Sequence, residues 1–200
     1  MAALRREMTD AEEVASSFRA AGPSLPDSDV LAALAPEQRS DYDAAIADFT
    51  RAIELSGTDP AAYLQRGYAY LEVLDPDRAV ADFTQAIQKQ PDGAMIYNNR
   101  GNAYRGLNQV ALALADYDRA IALLPNRAEY YANRGATRWS QQDAAGALQD
   151  LTTALRLRPD FLPALHLRAE IYLATQDVSR AVQDAARILE RGGQLSPPLQ

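Results

Sequence analysis

A chain of 200 residues, 48% of them apolar, can bury one sizeable core or a run of stacked units, which excludes a polypeptide too polar to fold. Its formal charge of −7 disfavours generic binding to a nucleic-acid backbone or an anionic bilayer, and the absence of cysteine excludes disulfides, thiolate metal sites and cysteine nucleophiles. The opening residues 1–10 lack the apolar core of a signal peptide, and no run approaches the roughly 18 apolar residues of a membrane span. The expectation is a cytoplasmic protein with protein partners, no nucleic acid and no membrane insertion. Lys89 is the only lysine, an arginine bias that suggests GC-rich bacterial coding.

In chain order, Thr9 and Glu12 read as a capping box ahead of a helix to about Ala21, which Gly22 and Pro23 end; residues 22–29 read as a loop. Residues 1–39 are thus an N-terminal helix and a divergent flank. Residues 40–58 hold half a unit: a second helix over 41–55, with Ala45, Phe49 and Ala52 in register, while Ala33 and Pro36 stand where its first helix would carry other residue types. Three full units follow, 60–93, 94–127 and 128–161. In the first, a helix is expected from Pro60 to about Val73, capped by Asp59. A second starts at Asp75 and Pro76, places Val80, Phe83 and Ile87 at helical spacing, and stops before Pro91. Residues 162–191 form a degenerate last unit. Its final helix shows a polar face of Ser179, Arg180, Gln183, Asp184, Arg187, Glu190 and Arg191, as a solenoid cap requires. Residues 192–200 read as a mobile tail with little to pack against.

The units share columns spaced by 34 residues. Gly67, Gly101 and Gly135 are followed by Ala79, Ala113, Ala147 and Ala181, then by Phe83, Tyr117 and Leu151, then by Ala86, Ala120 and Ala154, and last by Pro91, Pro125 and Pro159. Tyr63, Tyr97 and Tyr131 precede the glycines, and Tyr70, Tyr104 and Tyr172 follow that register point. Small residues at helix crossings let backbones approach, and the aromatic columns fill the space between. This ordered set resembles the tetratricopeptide-repeat (TPR) family over about residues 40–191. The resemblance implies an all-α, right-handed superhelical solenoid of antiparallel helix pairs, used as a non-catalytic adaptor or scaffold for protein–protein interaction. A structural or self-associating assembly module is the alternative.

Two charged columns recur at the same spacing: Arg66, Arg100, Arg134 and Arg168, and Asp48, Asp82, Asp116, Asp150 and Asp184. Catalysis would not need so many copies. Ion pairs tying first helices to second helices explain them, a repeat-level device. Function therefore moves to the first-helix face that lines the concave groove in the family. By that resemblance the peptide-binding positions are Gln65, Tyr68, Asn98, Asn99, Asn102, Arg105 and Asn133. Asn is a modest helix former, so three in one helix are not explained by propensity. A side-chain amide both donates and accepts, which suits the alternating groups of an extended peptide backbone. The Gln65, Asn99 and Asn133 column resembles the asparagine ladder in the superhelical arm of O-linked N-acetylglucosamine transferases, and Leu167 ends it. The carboxylate clamp of heat-shock co-chaperones is poorly matched, because Glu129 and Asn133, or one unit on Pro163 and Leu167, fall where its cations belong. His166 is the only histidine, and no phosphate loop or serine elbow occurs, so no enzyme, metal or cofactor is expected.

Overall fold

The computed structural model describes residues 36–55 and 57–195. The expected helix over 9–21, the loop over 22–29, the divergent first helix of the half unit and the last five tail residues lie outside the described residues. All regular structure among the described residues is helical: α1 (Pro36–Leu55), α2 (Pro60–Glu72), α3 (Pro76–Lys89), α4 (Ala94–Gly106), α5 (Val110–Leu123), α6 (Ala128–Ser140), α7 (Ala144–Leu157), α8 (Leu162–Ala174) and α9 (Val178–Glu190). The chain divides after Gln109 into two compact units.

In the first unit α1 packs on α2, α2 on α3 and α3 on α4. The boundaries follow from local chemistry. Asp59 accepts a hydrogen bond from the Ala61 amide at 2.8 Å, and Pro60 opens α2 with a ring that needs no donor there. The side chain of Asp75 accepts from the Arg78 amide at 3.1 Å ahead of Pro76 in α3. The core joins Leu64, Tyr70 and Leu71 of α2 to Ala79, Phe83 and Ala86 of α3 and to Ile96 and Ala103 of α4. Phe83 shows why column 67 is glycine: a Cβ there would lie 2.6 Å from the Phe83 ring, inside contact distance.

In the second unit α5 packs on α6, α6 on α7, α7 on α8 and α8 on α9. Ala128, Ala132, Ala147, Leu151, Leu165 and Ile188 form the centre of its core. Gly135 repeats the glycine logic against Leu151, less tightly, with a Cβ placed 3.3 Å from the Leu151 Cγ. Leu195, beyond α9, packs against this core.

One backbone device was not expected from the residue types. Leu74, Asn108, Gln142 and Gln176, again 34 residues apart, adopt the left-handed conformation with φ of 59°, 56°, 62° and 62°. Each follows the last turn of a first helix. The next residue's N–H then reaches back five residues to a carbonyl of that helix: Asp75 to Tyr70 at 2.8 Å, Asp143 to Arg138 at 3.0 Å, Asp177 to Tyr172 at 2.8 Å. The same aspartates cap the following helix, so one residue closes one helix and opens the next. Leucine tolerates this conformation least. Leu74→Gly is expected to stabilise the protein by about 1 kcal/mol, read as a raised denaturant midpoint at unchanged slope.

Candidate functional site

The arginine column is occupied in stacking. Arg66 donates to both carboxylate oxygens of Asp82 at 2.7 and 2.8 Å, Arg134 to those of Asp150 at 2.9 and 2.6 Å, and Arg168 to those of Asp184 at 2.7 Å each. These fork-shaped contacts join a first helix to its own second helix. The remaining guanidinium nitrogen reaches back to the preceding second helix: Thr50 at 3.0 Å from Arg66, Thr84 at 3.2 Å from Arg100, Asp118 at 2.6 Å from Arg134 and Thr152 at 3.3 Å from Arg168. The acceptor column 50, 84, 118 and 152 keeps the 34-residue spacing. The tyrosine columns flank the same groups, with Tyr63 and Tyr70 rings 6.0 and 5.8 Å from Arg66 and Tyr97 and Tyr104 rings 5.8 and 5.6 Å from Arg100.

The unit 128–161 departs from this pattern in a compensated way. Arg138 stands where Tyr70, Tyr104 and Tyr172 stand, and it adds a second cation 2.9 Å from Asp150. Asp118 stands where the other units have threonine and supplies a second anion to Arg134. The four groups alternate in sign. The hydrogen bonds that Arg134 donates to Asp150 and Asp118 raise its pKa above its already high ordinary value.

The expected groove residues distribute over both units. Gln65 and Tyr68 lie on α2, and Asn98, Asn99, Asn102 and Arg105 on α4, all in the first unit; Asn133 lies on α6 in the second. In the first unit the amides are set into the fold: Asn98, Asn99 and Asn102 are 4%, 1% and 0% exposed. Asn98 Nδ2 donates to Asn99 Oδ1 at 3.2 Å, and Asn99 Nδ2 donates to the Tyr68 hydroxyl. The Tyr68 ring also stands edge-on to Phe83, with centroids 5.8 Å apart and planes at 81°. Two consecutive first helices are thereby tied side by side, and Tyr68 is held by its hydroxyl and its ring at once. Gln65, Tyr68 and Arg105 are half-exposed and form the accessible part of this face.

In the second unit Asn133 is half-exposed, and its backbone carbonyl accepts from Thr137 at 2.9 Å. Glu129 is engaged by Arg158, which donates at 2.9 Å while its guanidinium lies 3.6 Å from the Phe161 ring centroid. Trp139 and Leu167 pack against the core of this unit. Among the described residues no helix is long and apolar enough to cross a membrane.

A repeating arrangement of helix pairs, with its recurring arginines bonded to its recurring aspartates and a polar face on the first helices, defines an all-α repeat solenoid that scaffolds protein–protein interaction. The tetratricopeptide-repeat family model matches residues 64–128 and 133–197, and a second TPR model matches residues 38–73. The chain belongs to the tetratricopeptide-repeat family, whose members are generally non-catalytic. No curated protein matches the sequence. Among solved structures the chain is similar to the type IV pilus biogenesis factor PilW, at 26% identity and a TM-score of 0.72 over 80% of this chain and 74% of that one. It is also similar to MamA from Desulfovibrio magneticus RS-1, at 18% identity and 0.69 over 84% and 97%. A third is the first TPR of Spaghetti (RPAP3) bound to the HSP90 peptide SRMEEVD, at 26% identity and 0.56 over 58% of this chain and 93% of that one.

Proposed function

We propose that this protein is a non-catalytic adaptor of the bacterial cytoplasm that holds an extended peptide segment of a partner against its first-helix face. The observation that carries this reading is the hydrogen-bonded chain from Asn98 through Asn99 to Tyr68, which fixes a polar surface of α2 and α4 before any ligand arrives. Such preorganisation reduces the ordering cost of binding. Gln65 lies one turn before Tyr68 on α2 and Arg105 lies on α4, and together the three side chains offer both donors and acceptors to a peptide main chain. Asn133 repeats the Gln65 and Asn99 register position on α6 of the second unit.

The similarity to a TPR bound to an HSP90 peptide supports peptide recognition as a use of this architecture. The acidic character of that ligand does not transfer. Glu129 and Asn133 stand where the carboxylate clamp of the heat-shock co-chaperones places cations, and Arg158 is already engaged with Glu129. Backbone recognition suits the residues better than capture of an acidic terminus. Peptides selected on the wild-type protein from a random display library test the reading. Gln65→Ala combined with Arg105→Ala is expected to weaken them about tenfold, the loss of one or two hydrogen bonds, with thermal stability unchanged because both side chains lie on the accessible part of the face. Equal affinity for wild type and variant would overturn it.

A further inference from the structure

The outer face of α9 carries an apolar seam that the expected polar cap does not have. Val178, Val182 and Leu189 are 58%, 60% and 56% exposed, although Asp184 on the same helix is buried and bonded to Arg168 and Ala181 and Ile188 are buried in the core. On a helical projection Val178, Val182, Ala185 and Leu189 fall in one narrow stripe at the alternating four- and three-residue spacing of helix–helix seams. Ser179 and Ala186 border it. This sector of α9 contains no charge in a chain whose formal charge is −7, while Arg180, Arg187 and Arg191 lie on the opposite side, where Arg187 donates to the Pro159 carbonyl at 2.7 Å.

The repeats themselves show what covers the equivalent face elsewhere. Leu148 and Leu155, 34 residues before Val182 and Leu189, pack on α8 beside Ala164, Leu165 and Ile171. Val80 and Ile87, at the same register in the first unit, pack on the core that holds Ile96 and Ala103 of α4. In each case the cover is the apolar side of the following first helix, antiparallel to the helix it covers.

We infer that the open seam of α9 is a self-association surface, on which α9 of a second copy takes the place that a following first helix takes inside the solenoid. Two-fold symmetry supplies the antiparallel direction that stacking requires. The stripe is self-complementary in that arrangement. Val178 faces the partner's Leu189, Val182 faces the partner's Ala185, and the small Ala185 sits mid-seam, where two helix axes approach most closely. An uncharged contact also lets two acidic copies meet without like charges at the centre. One helix face per copy buries less than the roughly 1,200 Å² of typical stable interfaces, so the dimer is weak, with a dissociation constant on the order of 10–100 μM.

Sedimentation velocity on the full chain tests this, from about 1 to 500 μM, a range that spans the expected constant. The wild type is expected to shift from monomer to dimer across the series. Val182→Glu with Leu189→Glu is expected to stay monomeric throughout, with unchanged helix content because both positions are exposed. Should that variant unfold, Val182→Ala with Leu189→Ala is the substitute and is expected to weaken dimerisation at least tenfold. Peptide binding through Gln65 and Tyr68 is expected to be the same in all of them, which separates this surface from the first-helix face. A wild type that stays monomeric over the whole range would overturn the inference, as would a folded Glu variant that dimerises like the wild type. Retention of a different protein at this seam, without dimerisation, would overturn the choice of a second copy.

Discussion

Arg168→Ala is expected to destabilise the second unit by about 3–5 kcal/mol, the cost of leaving a buried carboxylate without its partner. Asp184 has a side chain only 3% exposed and takes two hydrogen bonds from Arg168. Its other cation, Arg187, stands 3.8 Å away and is 39% exposed, too distant and too wet to replace a fork of two short bonds. The same substitution at Arg134 is expected to cost less. Asp150 keeps Arg138 at 2.9 Å, so its charge stays compensated after Arg134 is gone. Urea denaturation of the two variants measures the difference directly. Equal losses at both positions would mean that Arg138 contributes nothing to Asp150.

The second large effect is expected at the crossing of α2 and α3. Phe83 is fully buried, and its ring fills the space that Gly67 leaves. Phe83→Ala removes the ring from a packed core and is expected to cost about 3–5 kcal/mol. Gly67→Ala pushes a methyl group to 2.6 Å from the same ring, and overpacking of this kind costs about 1–3 kcal/mol. The two are coupled by contact. In the double variant the added methyl occupies part of the vacated space, so the combined loss is expected to fall at least 1 kcal/mol short of the sum. Additive losses would show that Gly67 is required for its backbone and not for the ring against it.

Much of this architecture was legible because it repeats. Gly67, Phe83 and Ala86 each state little alone, but their recurrence with the same residue types named the crossings and their order. Asp59 and Asp75 were readable as caps because each precedes a proline that can only begin a helix. The arginine–aspartate pairing was legible from the columns. Its third arm was less so, because Thr50, Thr84 and Thr152 share their column with Asp118 and so hide it from a search by residue type.

Other features were not readable for physical reasons. A leucine gives no sign of positive φ, so the turn at Leu74 emerges only from the backbone it shares with Asn108, Gln142 and Gln176. The burial of Asn98, Asn99 and Asn102 depends on neighbours brought in by α2 and α3, which one helix in isolation does not contain. The seam on α9 is masked by composition. Charged and polar residues outnumber its three large apolar side chains, and only the spacing of Val178, Val182 and Leu189 puts them on one side. Leu195 packs on the core from beyond the last helix, where glycine and proline suggested nothing to hold it.

The claim that the first-helix face holds an extended peptide is tested most directly by amide chemical-shift mapping during titration with a peptide selected on the wild-type protein. The account predicts the largest shifts at Gln65, Tyr68, Asn98, Asn99 and Arg105 on α2 and α4, with α3 and the outer face of α9 little changed. Shifts concentrated on the second helices or on α9, with α2 and α4 silent, would contradict it.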